Sequence, residues 1–213
     1  MPDLPISQAV EGFLTPLALS ILRQAGENGY CRLVVPGPPD GAATLLGGVA
    51  PQELISRPIK HADDARAVLS GLWLFLDALD ESHRLSQEIV SSTGSFWHAI
   101  MHRREGDFSN SKYWYNRCAN HHVLRLLGAV AGSLAGDSAR DRTVARALSD
   151  GWNPDGFVDL VAAVHDKPDD PRHAIAVRLQ KAEWAGLFDY CVHEAVEADR
   201  TDLEGWESRL SGL

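Results

Sequence analysis

Residues 69–90 read LSGLWLFLDALDESHRLSQEIV, and the spacing of their apolar side chains sets the fold class. Leu69, Leu72, Leu76, Leu79, His83, Ser86 and Val90 follow one another at steps of three and four, the stripe of a helix packed in a bundle. Four leucines lead the stripe and His83 takes the fifth place, flanked on nearly the same face by Asp80 and Gln87. Asp77 and Glu81 are expected further round, towards water. A histidine in line with leucines should be at least partly buried, and a buried imidazole requires a partner. Ser91-Ser92-Thr93-Gly94 then supplies a turn and a cap. So short a connection favours antiparallel neighbours, which would let His83 face His98 or His102 across the hairpin.

That second helix opens the stretch richest in chemistry, residues 97–117, WHAIMHRREGDFSNSKYWYNR. His98, His102 and Glu105 stand at i, i+4 and i+7 and share one helical face. Trp97, Ile100, Met101 and Arg104 form the packed side. Gly106 is expected to stop the helix, since glycine is the least costly residue just past a C-terminus. Residues 107–110 read as a turn in which Ser109 or Asn110 caps a further helix carrying Lys112, Tyr113, Trp114 and Arg117. Two short helices meeting at a tight corner would bring the His/Glu face and the cationic, aromatic face together as a pocket.

Outside this region the signals are coarser. Gln8–Gln24 has helical spacing interrupted by Pro16, which predicts a kinked or split helix. YCRLVV at 30–35 is β-branched but has no partner strand, so residues 25–60 are expected to be an irregular excursion over a helical core. Helices are expected over His122–Leu134, over an exposed 140–149 segment, and after a cap at Asp155 with Phe157, Leu160, Val161 and Val164 inward. Asp170-Pro171 should start a long helix reaching about Ala198, with a last short helix in 201–213. The expected fold is all-α, an irregular helical bundle forming one domain over 1–213, with a loop-rich N-terminal segment (1–62) and a helical core (63–213).

Composition narrows the function classes. With 213 residues, 45% of them hydrophobic and 23% charged, the chain can bury a substantial core and is not predominantly disordered. A net charge of -9 argues against nucleic acid and anionic membranes as partners. Three scattered cysteines without a CxxC pair argue against a disulfide framework or a zinc knuckle and fit a reducing cytoplasm. The N-terminus has acids and prolines where a signal peptide would be basic and then apolar, and the longest apolar run, Gly71–Leu76, is too short to span a bilayer. A small molecule and a second copy of the chain, as a homodimer, are the expected partners.

The site residues admit several readings. His98 and His102 are spaced as metal ligands on one helix, though the glutamate that stands between them in HExxH is missing. Glu105 on the same face could be a third ligand, and Asp80 with His83 from the preceding helix would complete a divalent-metal set of His83, His98, His102 and Asp80. Without a metal, His98 or His102 would serve as a general base oriented by Glu105 or Asp80. Arg103, Arg104, Lys112 and Arg117, with Tyr113 beside them, could hold a carboxylate or phosphate. The competing reading makes the histidines hydrogen-bonded ties between helices and pairs the arginines with Glu105 and Asp107. Cys118 with His121 or His122 lacks a third orienting group for nucleophilic catalysis. Two functions follow: a protein that binds or acts on a small anionic molecule, or a non-catalytic interaction protein whose polar cluster is a buried network.

The string LDESHRLSQ, followed by TGSFWHAIMHRREGDFSNSKYWYNR, resembles a family of uncharacterised bacterial and fungal proteins with a WHxIMHRRE-x-D-x-x-N-x-KYW block. The sharp part of the resemblance spans roughly a fifth of the chain and implies no particular reaction. The family pattern continues as YWFRRVG and a single histidine before proline. Asn116, Cys118 and the His121-His122 pair depart from it.

Overall fold

A computed structural model describes residues 6–24, 30–35, 45–118 and 120–198. Among the described residues every regular element is helical, apart from one isolated antiparallel bridge between Leu14 and Ile55. The helices are α1 (Gln8–Glu11), α2 (Pro16–Gln24), α3 (Ala62–Phe75), α4 (Leu79–Ser86), α5 (Ser92–Glu105), α6 (Phe108–Asn116), α7 (His122–Ala135), α8 (Arg142–Ala147), α9 (Pro154–Val164) and α10 (Pro171–Val196). Short 3₁₀ turns lie at Pro51–Glu53 and Gly136–Arg140. None of the described helices is long and apolar enough to cross a membrane.

α10 is the spine. Asp170 accepts the Arg172 N–H and Pro171 occupies the first turn, so this 26-residue helix starts where the sequence signals it. It packs against α3, α7 and α9, and Trp184 and Phe188 fill the centre of a continuous core with Phe75, Trp97, Leu127 and Phe157. The Trp184 indole N–H donates to the Gly71 carbonyl at 2.9 Å, tying α10 to α3 where both are buried.

The leucine stripe does not run on one helix. The chain breaks between α3 and α4 at Asp77, which adopts a left-handed conformation (φ 61°). The buried Arg104 side chain stabilises that break, donating to the Leu74 carbonyl at 2.6 Å and to the Asp77 carboxylate at 2.5 Å. Asp77 therefore turns towards the protein rather than towards water. Val90, the last member of the stripe, lies beyond α4 and is 96% exposed.

At the N-terminal side the Pro16 interruption is a full split into α1 and α2. The apolar run at 30–35 forms no strand. Its backbone is satisfied by neighbours: Val35 N–H donates to Arg104 O at 2.7 Å, and the Gln180 amide donates to Arg32 O at 2.9 Å. Leu33 and Val35 are buried, so the segment covers the C-terminal end of α5.

Three local expectations are corrected. Asp107, not Ser109 or Asn110, caps α6 by accepting the Asn110 N–H, so Phe108 is already helical. Asn153, not Asp155, caps α9, because Pro154 takes the first helical position. α8 is exposed on one face only, since Arg142, Ala145 and Arg146 face solvent while Val144 and Ala147 are fully buried. The helix expected at 201–213 lies outside the described residues.

Candidate functional site

The site is built by the α4–α5 hairpin and the α6 corner. Residues 87–91 reverse the chain, and Gly94 lets the first turn of α5 press onto that loop; a Cβ there would sit 2.1 Å from Ile89 O. α5 ends at Gly106, whose φ of 88° is the left-handed conformation that glycine adopts without steric cost.

This geometry brings His83 of α4 onto His98 and His102 of α5. Ring centroids are 4.6 Å apart for His83 and His98, 5.4 Å for His83 and His102, and 4.7 Å for His98 and His102. One ligating nitrogen from each lies within 4.8 Å of the other two. His98 and His102 are buried, and His83 is half-buried. Asp80 is exposed and does not join the group, though its charge acts on His83. His102, Glu105 and Asp107 make a second grouping of ligand atoms within 4.8 Å, on the more exposed side of His102.

Each imidazole has a distinct setting. The indole of Trp114 stacks on His98 at 4.0 Å with the planes 18° apart. Buried His98 Nδ1 has no hydrogen-bond partner among the described residues. His102 Nδ1 lies 2.5 Å from Glu105 Oε1, and the Asn110 amide nitrogen is 3.0 Å from His102 Nε2. Burial, then the neighbouring His102 and His83, push the His98 pKa down to about 3. Burial also lowers His83, reinforced by His102 and opposed by Glu105 and Asp80. Asp107 is held below the usual carboxyl range, first by the N–H of Asn110 that it caps.

The arginines expected at the pocket face elsewhere. Arg103 and Arg104 are completely buried. Arg103 pairs with Glu183 at 2.5 Å and donates to the Tyr115 hydroxyl, which in turn donates to Glu183 Oε1 at 2.7 Å. Its guanidinium also lies over the Phe157 ring at 4.5 Å. Arg104 is held by Leu74 O, Asp77 and Arg32 O. Neither pairs with Glu105 or Asp107; their partners come from α10 and from the α3–α4 break. Lys112 is ion-paired with Asp159, which Arg146 also contacts at 2.9 Å. Tyr113 is 54% exposed, and Arg117 lies over the Tyr113 and Trp114 rings.

Cys118 and His121 do not form a reactive pair. The Cys118 thiol donates to Tyr115 O at 3.1 Å, and burial pushes its pKa up to about 12. His121 Nδ1 accepts the Val123 N–H at 3.2 Å, which caps α7, and Nε2 lies 3.3 Å from Thr93 Oγ1.

Sequence spacing offers Asn110 only as a cap, leaves Glu183 without a role, and places Trp114 on the cationic, aromatic face. Asn110 and Trp114 are four apart, the spacing that places both on the α6 face turned towards α5. Glu183 stands between Leu179 and Leu187 at steps of four on a buried face, and an acid in such a row requires a buried cation. Comparison with family models, curated proteins and solved structures returned no match.

Proposed function

We propose that the protein is a metal-dependent enzyme whose centre is a divalent transition-metal ion held by His83, His98 and His102, acting on a small anionic molecule. The observation that carries this reading is the convergence of three imidazoles from two antiparallel helices, with ligating atoms within 4.8 Å of one another. Nitrogen ligands at about 2.0–2.1 Å from one zinc ion stand about 3.3 Å apart, so nitrogens already within 4.8 Å of one another need to close by at most about 1.5 Å, within reach of side-chain torsions. Imidazole suits zinc, copper, nickel and iron among biological cations. Three protein ligands leave a coordination position open, the arrangement of catalytic rather than structural sites.

The surrounding residues fit this role. Glu105 on His102 Nδ1 supplies the carboxylate contact that fixes the tautomer and orientation of a ligating imidazole. Trp114 walls His98 from one side. Such an ion would supply Lewis-acid polarisation of a carbonyl or phosphoryl oxygen. The chain contributes orientation through Glu105 and partial exclusion of water through Trp114, and an ion on His102 Nε2 would displace the Asn110 amide that lies 3.0 Å from it.

A purely structural hydrogen-bond network fits the arginine half of the motif, where donors and acceptors are matched from Arg103 to Tyr115 and Glu183. The histidine half differs in kind: its three imidazoles face one another with no carboxylate among them, and buried His98 Nδ1, like Arg103 Nε and Arg104 Nε, has no hydrogen-bond partner among the described residues. Cobalt(II) titration tests the proposal. Saturable visible absorption typical of imidazole-coordinated cobalt is expected for the native protein. Its persistence in both His83→Ala and His98→Ala would exclude this centre.

A further inference from the structure

A cleft of about 480 Å³ opens against Trp114, lined also by Ser86, Gln87, Ser91, Ser95 and Arg117, with none of the three histidines in its wall. Its walls are the same three helices one turn on. Ser86 follows His83 by three residues on α4, and Ser95 precedes His98 by three on α5, a separation of roughly 4.5 Å along each axis. On α6, Trp114 belongs to both places: it lines the cleft and stacks on His98.

Arg117 supplies the charge. Its guanidinium lies 5.3 Å from the Trp114 ring centroid, and its hydrogen bond is a 3.4 Å contact with the Tyr113 hydroxyl. The cationic side chains of Arg103, Arg104 and Lys112 are all engaged by carboxylates, whereas Arg117 makes no ion pair among the described residues. In a chain of net charge -9, a cation without an acidic partner on the wall of a cleft is a marked local feature.

We infer that this cleft is the substrate subsite of the histidine centre, that it takes a planar or aromatic molecule bearing a carboxylate, and that Arg117 holds the anion while Trp114 stacks on the ring. This rests on the metal-centre reading for the identity of the reacting end, but not for the binding itself. Trp114 then has two functions: it is the floor of the subsite and the side chain that joins it to His98, on which it stacks. His98 covers one face of the indole, so a substrate ring would take the face over which Arg117 lies, with the guanidinium swinging aside to present its fork to the carboxylate.

The test uses benzoate as probe. Indole fluorescence of the full-length protein is titrated with benzoate, with and without zinc, in wild type, Arg117→Ala, Arg117→Lys and Arg125→Ala. The subsite predicts saturable quenching in wild type, at least about 10-fold weaker binding in R117A, intermediate binding in R117K because the fork is lost but not the charge, and unchanged binding in R125A. Absence of saturable binding in wild type, or equal affinity in wild type and R117A, overturns it. Benzoate binding that depends on Arg117 but not on zinc, in a protein that takes up no zinc, keeps the subsite and removes the metal centre, so the two failures are told apart.

Discussion

Glu183 and Arg103 lie 80 residues apart in sequence and close to 2.5 Å, with both side chains wholly excluded from solvent. Burial, the largest single influence, would lower the Arg103 pKa, but the Glu183 carboxylate with Tyr115 and Tyr30 together outweighs it and raises the value. Removing one partner leaves an uncompensated buried charge, whereas removing both does not. Glu183→Gln is therefore expected to cost roughly 3–5 kcal/mol in urea unfolding. The double replacement R103M/E183L should recover part of that loss. Equal destabilisation by the single and double variants would contradict a coupled pair.

Glu105 acts on the proposed centre through His102 and is itself 39% exposed on its side chain. Glu105→Gln should weaken zinc affinity about 10- to 100-fold, the usual effect of losing a carboxylate behind a ligating histidine. Chemical stability should stay near wild type, because the group is at the surface. Isothermal titration alongside unfolding separates the two. Unchanged zinc affinity would remove Glu105 from the positioning role.

Gly94 tests the hairpin that aligns the histidines. A methyl group there would meet the Ile89 carbonyl at 2.1 Å, so either the loop or the first turn of α5 must shift. Gly94→Ala is expected to destabilise by roughly 1–3 kcal/mol and to weaken cobalt binding in the same variant. A stable protein with native cobalt affinity would show that the close approach does not set the site.

His121 gives the acid side of the stability profile. Burial pushes its pKa down to about 4 in the folded chain. Between its unfolded value, about 6.5, and that folded value the unfolded chain takes up the proton and the folded chain does not. Its contribution is thus fully present above pH 6.5 and is lost as pH falls towards 4, in total roughly 3 kcal/mol. His121→Asn keeps a cap for α7 without a titrating group and should flatten the slope over that window. Parallel slopes for the two proteins would contradict the assignment.

The all-α class and the α4–α5 hairpin are legible in apolar spacing, because helical period and turn chemistry are local properties. The face shared by His98, His102 and Glu105 follows from that period alone. What spacing does not carry is the destination of adjacent side chains. Arg103 and Arg104 stand beside His102 in sequence, yet each step of about 100° around the helix turns them into the core. Their partners, Glu183 and Asp77, are 80 and 27 residues distant. The break at Asp77 was hidden for the same reason: a left-handed residue inside a leucine stripe is stabilised by Arg104, a long-range contact that no local pattern reports. The caps at Asp107 and Asn153 were displaced by only a few residues, as competing Asx and Ser side chains cluster at both turns.

Three imidazoles holding one metal ion make the metal content of the protein decisive. It is measured on tag-free protein by plasma mass spectrometry after zinc loading and gel filtration. About one zinc per chain is expected for wild type, with loss of that ion in His98→Ala while His173→Ala retains it. Wild-type protein that emerges without stoichiometric metal, or an H98A variant that keeps it, would contradict the account.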